Sequence, residues 1–141
     1  MSPAILPASA NDTPDLVPLL GAIEAGRPGG STSERVEACI PVAFEALDIP
    51  RNARCFALRV RGDSMIDAHI VEGDLVVLEL RAPHDGAIVA ALIDGEAVLK
   101  RYLVQGGKPF LKSENPRYPK LVPAQELVIQ GVLRAVIRSE P

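Results

Sequence analysis

The sequence predicts a mostly β protein: a compact antiparallel β domain of short strands, preceded by an extended N-terminal arm. Three observations lead there. Short apolar or alternating runs such as "CFALRV" and "DLVVLEL" recur between turn residues, as strands do. Asp94-Gly95 lies between two apolar runs, the strongest short-range hairpin signal. Only one stretch, "VAFEALDI" (42–49), has the pattern of a helical turn or two.

Residues 1–34 read as the arm. Pro3, Pro7, Pro14, Pro18 and Pro28 interrupt them and "RPGGSTS" closes them. Proline removes backbone donors and glycine raises chain entropy, so a long helix is not expected. One apolar patch within the arm, "LVPLLGAI" (16–23), is suited to docking; otherwise the composition is that of a disordered tail. From residue 35 to 141 the pattern is that of a β domain. In "CFALRV", Phe56, Leu58 and Val60 share one face. "DLVVLEL" (74–80) is the next strand, and "GAIVAALI" leads through Asp94-Gly95 into "EAVLKRYLV". Gly106-Gly107 turns the chain into "KPFLK", Pro116 and Pro119 break it, and "ELVIQGVLRAVI" is a last long strand, bulged at Gly131.

Composition narrows the function classes. Apolar residues make up 48% of 141, enough for one domain with a modest core. Aromatics are 4% and Trp is absent, so that core is aliphatic. A net charge of −3 and a pI near 5.4 argue against a dedicated nucleic-acid binder. Cys39 and Cys55 lie among apolar residues and read as buried free thiols of a reducing compartment. No apolar run approaches a membrane span, and "MSPAILPASAND" lacks a basic start, so the expected location is cytoplasmic. His69 and His84 stand alone and no Cys-x-x-Cys occurs, so neither metal nor other cofactor is expected.

Two residues carry the possible chemistry. Ser64 sits in "RGDSMID", where a strand opens into a tight turn and returns at once to apolar residues. Gly62 and Asp63 shape that turn, and Met65 and Ile66 are expected to tie it into the core. A serine becomes nucleophilic only when a base takes its proton. The histidines offer no triad context, which leaves a lysine whose charge is suppressed. Lys108, Lys112 and Lys120 lie near turns or prolines and should be solvated. Lys100 differs: strand alternation sets it between Val98 and Tyr102 on one face, where desolvation would lower its pKa. The ordinary alternatives are a turn serine and a strand lysine that snorkels to water.

The two halves together resemble a known family. "RGDSMIDAHIVEGDLVVLE" followed by "GAIVAALIDGEAVLKRY" is similar to the catalytic core of the LexA/UmuD family of self-cleaving Ser–Lys proteins, peptidase family S24. Each motif alone is weak; the two coupled 36 residues apart are specific. The resemblance implies the LexA/signal-peptidase-like β fold, with Ser64 as nucleophile and Lys100 as general base. "VPLLGAIEAGRP" resembles the family's cleavage region, which implies a scissile bond at Ala25–Gly26. The likeness runs from about Val17 to the C-terminus. Backbone amides of the Gly62-Asp63-Ser64 turn, those of Asp63 and Ser64 foremost, are the implied oxyanion donors. One position departs from the pattern: members often carry a hydroxyl two residues before the lysine, and here it is Val98. Less hydrogen bonding and more desolvation of Lys100 imply slow cleavage near neutral pH and faster cleavage in alkali.

Within the family, the short proline-broken start and "GDSMID" resemble UmuD-type proteins. That reading implies an SOS-response protein cut under the RecA–single-stranded-DNA filament. The trimmed homodimer would then be an accessory subunit of an error-prone Y-family polymerase. The alternative is the autoproteolytic, dimerising C-terminal domain of a LexA-like repressor, whose DNA-binding helix-turn-helix would precede it. Neither version expects this chain itself to bind DNA or membrane. A non-enzymatic β interaction module, with Ser64 in an ordinary turn, is the reading from another class.

Overall fold

A computed structural model describes residues 15–21 and 36–138. They form one eight-stranded sheet: β1 (Asp15–Leu20), β2 (Val36–Val42), β3 (Cys55–Arg59), β4 (Leu75–Glu79), β5 (Ile88–Ile93), β6 (Glu96–Gln105), β7 (Lys108–Lys112) and β8 (Leu127–Ile137). The spatial order is β2-β1-β3-β4-β8-β5-β6-β7. Every pairing is antiparallel except a single parallel bridge, Leu19 to Ala57, between β1 and β3. The expected mostly β class is therefore the observed one. "VAFEALDI" supplies one 3-10 turn, Glu45–Leu47.

Both tight hairpins fall where the turn residues place them. Asp94-Gly95 joins β5 to β6 with Ile93 opposite Glu96, and Gly106-Gly107 joins β6 to β7 with Gln105 opposite Lys108. All four turn residues have positive φ, the geometry that matches the twist of the flanking strands. Asp94 does a second job. Its carboxylate accepts the N–H groups of Ala124, Gln125 and Glu126, which ties the hairpin to the segment entering β8 and holds its pKa below the ordinary value.

Three aliphatic clusters fill the two faces of the sheet. Val17 and Leu19 of β1 pack with Val42, Phe44, Ile49, Ala57 and Val77, so the apolar patch of the expected arm docks on its own domain as a strand. Val60, Met65, Ile70, Val76, Leu78 and Ala90 form the second cluster, with Phe56 and Leu58 against it. Val89, Ala91, Ile93, Leu111 and Val132 form the third.

Three expectations are corrected. The bulge falls at Gln130, not Gly131: Ala90 pairs with Gly131 and Ala91 with Ile129, so Gln130 is the residue left over. Gly131 serves close packing, because a Cβ there would lie 3.0 Å from both Leu78 Cβ and the Phe56 ring. A second leftover residue, Arg134, lies opposite Val77 and Leu78. Cys39 is exposed rather than buried, since it lies on edge strand β2, and Cys55 is half-buried. Burial and the neighbouring Glu79 push the Cys55 thiol up. Ile66 does not enter the core: it is 45% exposed, and Met65 alone anchors the turn.

Candidate active site

The loop between β3 and β4 presents Ser64. Its stem is closed by Val60 N–H to Asp74 O (2.8 Å) and Gly73 N–H to Val60 O (2.9 Å). Buried Asp74 fixes the returning limb. Its carboxylate receives two hydrogen bonds from Arg138, each 2.8 Å, and one from Val71 N–H, and the Arg138 bonds hold its pKa below the ordinary value. At the tip, Gly62 has φ +80°, a conformation that strains any residue with a Cβ. Met65 is buried beneath the serine, and its carbonyl accepts the N–H groups of Ala68 and Ile70.

The tip is held from across the fold. The Asp63 carbonyl accepts Asn115 Nδ2–H at 2.8 Å, and its carboxylate accepts the Tyr118 hydroxyl at 2.5 Å. Arg117 stands 3.8 Å from the same carboxylate. Asp67 N–H donates to Glu114 O at 2.7 Å. The segment 113–118 therefore cradles the residue immediately before Ser64. The Gly62 N–H is taken by Glu72 (3.2 Å), whereas the Asp63 and Ser64 N–H groups have no partner among the described residues.

Lys100 lies mid-strand on β6, opposite Val89. It is only 9% exposed, and burial lowers its pKa while Glu96 opposes that shift. The ammonium loses water that the surrounding aliphatic side chains do not replace. One compensation is present: Nζ sits 5.4 Å from the centre of the Tyr118 ring, within cation–π range. Tyr118 thus touches both the serine loop and the lysine.

Ser64 and Lys100 line one cavity of about 340 Å³, together with Val60, Met65, Val98 and Leu99. Leu20 and Gly21, where β1 ends, line it too. So does Gln130, the bulge residue of β8. The chain thus reaches this cavity four residues before Ala25. Ala25 and Gly26 themselves lie outside the described residues.

Sequence reasoning singled out Ser64, Lys100 and the Gly62 turn, and the structure brings them to one place. It missed Asn115, Tyr118 and Gln130. "SENPRYP" carried a signal, since a polar, proline-broken loop with an aromatic residue is costly unless it docks. Nothing in the sequence shows that its docking partner is Asp63, 52 residues away.

The family model described as Peptidase S24-like matches residues 18–134. The chain is 48% identical over 122 residues to the LexA repressor of Verrucomicrobium spinosum, covering 86% of this chain and 60% of that protein. It is 44% identical over 124 residues to the LexA repressor of Opitutus terrae, with the same two shares. Against that of a Parafrankia species it is 40% identical over 138 residues, 97% of this chain and 53% of the relative. That last alignment takes in most of the first sixteen residues, which the resemblance in the sequence had left outside. The chain spans between half and three-fifths of the length of these relatives. All three are repressors, so the UmuD-type reading and its polymerase partner find no support in them. No described helix is long and apolar enough to cross a membrane. With a family model covering most of its length and relatives this similar, the chain belongs to the peptidase S24-like family.

Proposed function

We propose that this chain is the autoproteolytic, dimerising domain of a LexA-like repressor, and that it cuts its own Ala25–Gly26 bond with a Ser64–Lys100 dyad. The observation that carries the reading is the shared cavity: a loop serine and a buried lysine of lowered pKa meet there, and strand β1 leads into it. Deprotonated Lys100 takes the Ser64 proton, and Oγ attacks the Ala25 carbonyl. The amides of Asp63 and Ser64, unpartnered among the described residues, are the groups that would receive the oxyanion. The amine of Gly26 leaves with a proton from Lys100, and water then hydrolyses the acyl-enzyme at Ala25.

The tether supports the same reading. Four residues from Gly21 to Ala25 span at most about 14 Å when extended, so the bond can reach the cavity of its own protomer. An attached substrate has a high effective concentration and needs little intrinsic affinity. Small side chains at Ala25 and Gly26 admit a close backbone approach. By the same LexA-type reading, the domain forms a homodimer, and the RecA–single-stranded-DNA filament promotes cleavage.

The test is direct. The purified chain is incubated between about pH 7 and pH 10 and weighed by mass spectrometry. Loss of residues 1–25, faster in alkali and abolished by Ser64→Ala and by Lys100→Ala, is the expected result. An intact mass at every pH would favour the non-enzymatic β module. An in-frame helix-turn-helix upstream in the gene is the expected mark of the repressor, and copurification with a Y-family polymerase would restore the UmuD-type reading.

A further inference from the structure

Lys100 needs more than a lowered pKa to act as a base. A neutral amine has one lone pair and two N–H bonds, and the lone pair must face the Ser64 hydroxyl. An acceptor for one N–H would fix that orientation. Val98, two residues before it on the same face, offers none. Its polar contact among the described residues is a ring face, that of Tyr118.

One buried hydroxyl has no partner. Ser113 is 3% exposed, and its Oγ makes no hydrogen bond among the described residues. The other buried atom in that condition, Glu79 Oε1, lies 3.5 Å from Arg134 and 3.7 Å from Arg81, so charge pairing accounts for it. Among the described residues, no contact accounts for Ser113 Oγ in that way. Burying a hydroxyl without a partner costs about 1–3 kcal/mol.

Register points to where this hydroxyl lies. Arg101 pairs with Lys112 across β6 and β7, and the same register carried one step past the end of β7 would set Ser113 opposite Lys100. The burial alternation continues past the end of β7: Leu111 buried, Lys112 exposed, Ser113 buried. Ser113 therefore shares the inward face with Leu111, and Leu111 opposes Tyr102 on the Lys100 face. Directly opposed residues have Cβ atoms about 4.5–5.5 Å apart. The next two residues bind the serine loop, through Glu114 O and Asn115 Nδ2. The charged groups around Lys100 are Glu96 on its own strand, the Arg101–Glu114 pair at 3.2 Å, and Asp63 with Arg117 beyond Tyr118.

We propose that Ser113 is a positioning residue for Lys100, its hydroxyl accepting one Nζ–H so that the amine lone pair faces Ser64. The proposal rests on the Ser64–Lys100 reading above. It supplies, from just past the end of β7, the hydroxyl that Val98 withholds. In the step itself the Ser64 proton moves to Nζ, and Ser113 neither gains nor loses a proton.

The test compares the full chain with Ser113→Ala, Ser113→Thr and the double variant Val98→Thr/Ser113→Ala. Self-cleavage near pH 10 is followed by mass, and stability by urea titration. Ser113→Ala is expected to slow cleavage about 10- to 100-fold, the scale of a misplaced reacting group. Its urea midpoint should change little, because a buried hydroxyl and its one hydrogen bond are lost together. Ser113→Thr should keep most of the rate, and Val98→Thr should restore most of it to Ser113→Ala. Wild-type cleavage by Ser113→Ala, with Lys100→Ala inactive, overturns the proposal and leaves the dyad standing. Slow cleavage with a lowered urea midpoint and no rescue by Val98→Thr also overturns it, in favour of a packing role. Cleavage by Lys100→Ala, or an intact wild-type chain, defeats the dyad reading itself.

Discussion

Asn115 is where the serine loop is most exposed to a single change. It is 6% exposed, donates Nδ2–H to the Asp63 carbonyl at 2.8 Å and accepts Arg117 N–H at 3.0 Å. In Asn115→Ala the exposed Arg117 N–H turns to water at little cost. Among the described residues, the Asp63 carbonyl keeps only Ile66 N–H, at 3.3 Å. One lost hydrogen bond and a poorly satisfied acceptor together cost about 1.5–3 kcal/mol. For a domain of this size each kcal/mol moves Tm by about 3–4 °C, so a fall of about 5–10 °C is expected by calorimetry. Ser64 is the next residue, so self-cleavage should fall about 10- to 100-fold through loss of orientation. Asn115→Asp sharpens the test. A protonated carboxyl still donates to the carbonyl, whereas a carboxylate faces it with like polarity. The folded pKa of that Asp should therefore be raised. Its stability matches the parent below about pH 4 and is lost as pH climbs through the raised value. A Tm within a degree of the parent for both variants would refute the anchoring of Asp63 by Asn115.

Other consequences follow from burial and charge. Lys100→Met should abolish cleavage yet stabilise the fold at neutral pH. The lysine's folded pKa is lowered by burial, so the parent gains stability as pH rises from that value towards the unfolded one, near 10.4. The gap in urea midpoint should thus narrow as pH rises towards about 10.4, and a constant gap would remove the case for a charged resting lysine. Gly131→Ala should destabilise by about 1–3 kcal/mol, because its Cβ meets Leu78 and Phe56 at 3.0 Å. Adding Phe56→Leu should return part of that loss in a thermal melt. Arg138→Leu should weaken the fold most above about pH 4, where Asp74 is ionised in both states. The Asp74 folded pKa lies below its ordinary value, so the pair's contribution is lost as pH falls through it, and parent and variant should converge in acid.

What the sequence disclosed follows the range of the forces involved. Asp94-Gly95 and Gly106-Gly107 are local: their backbone preferences fix both hairpins and, through the first, the placement of Lys100. Alternation set Lys100 between Val98 and Tyr102, and the strand keeps it inward. The errors concern neighbours distant in the chain. Cys39 sits among apolar residues but on an edge strand, and no local pattern identifies an edge. Gly131 was legible as special, yet its reason is a Phe56 ring from β3. Asn115 and Tyr118 read as loop residues because their partner, Asp63, is 52 and 55 positions away.

The proposed chemistry and the fold's economy bear on each other. A lysine that works as a base near neutral pH must be buried, and burying it as an ammonium destabilises the fold. Here the charge is partly compensated by the Tyr118 ring, which favours the protonated, inactive form. The same tyrosine holds Asp63 beside the nucleophile. One side chain thus contacts both Lys100 and the residue before Ser64. In the proposed reaction the substrate side would be intramolecular too: Val17 and Leu19 of β1 are core residues, so the strand before the arm is held by the stability of the domain itself. A site built in this way needs little affinity for peptide. On the proposed mechanism, its rate would follow how often Lys100 is neutral and how often the bond meets Ser64. A partner that stabilised that docked arm would accelerate cleavage without contributing a catalytic group.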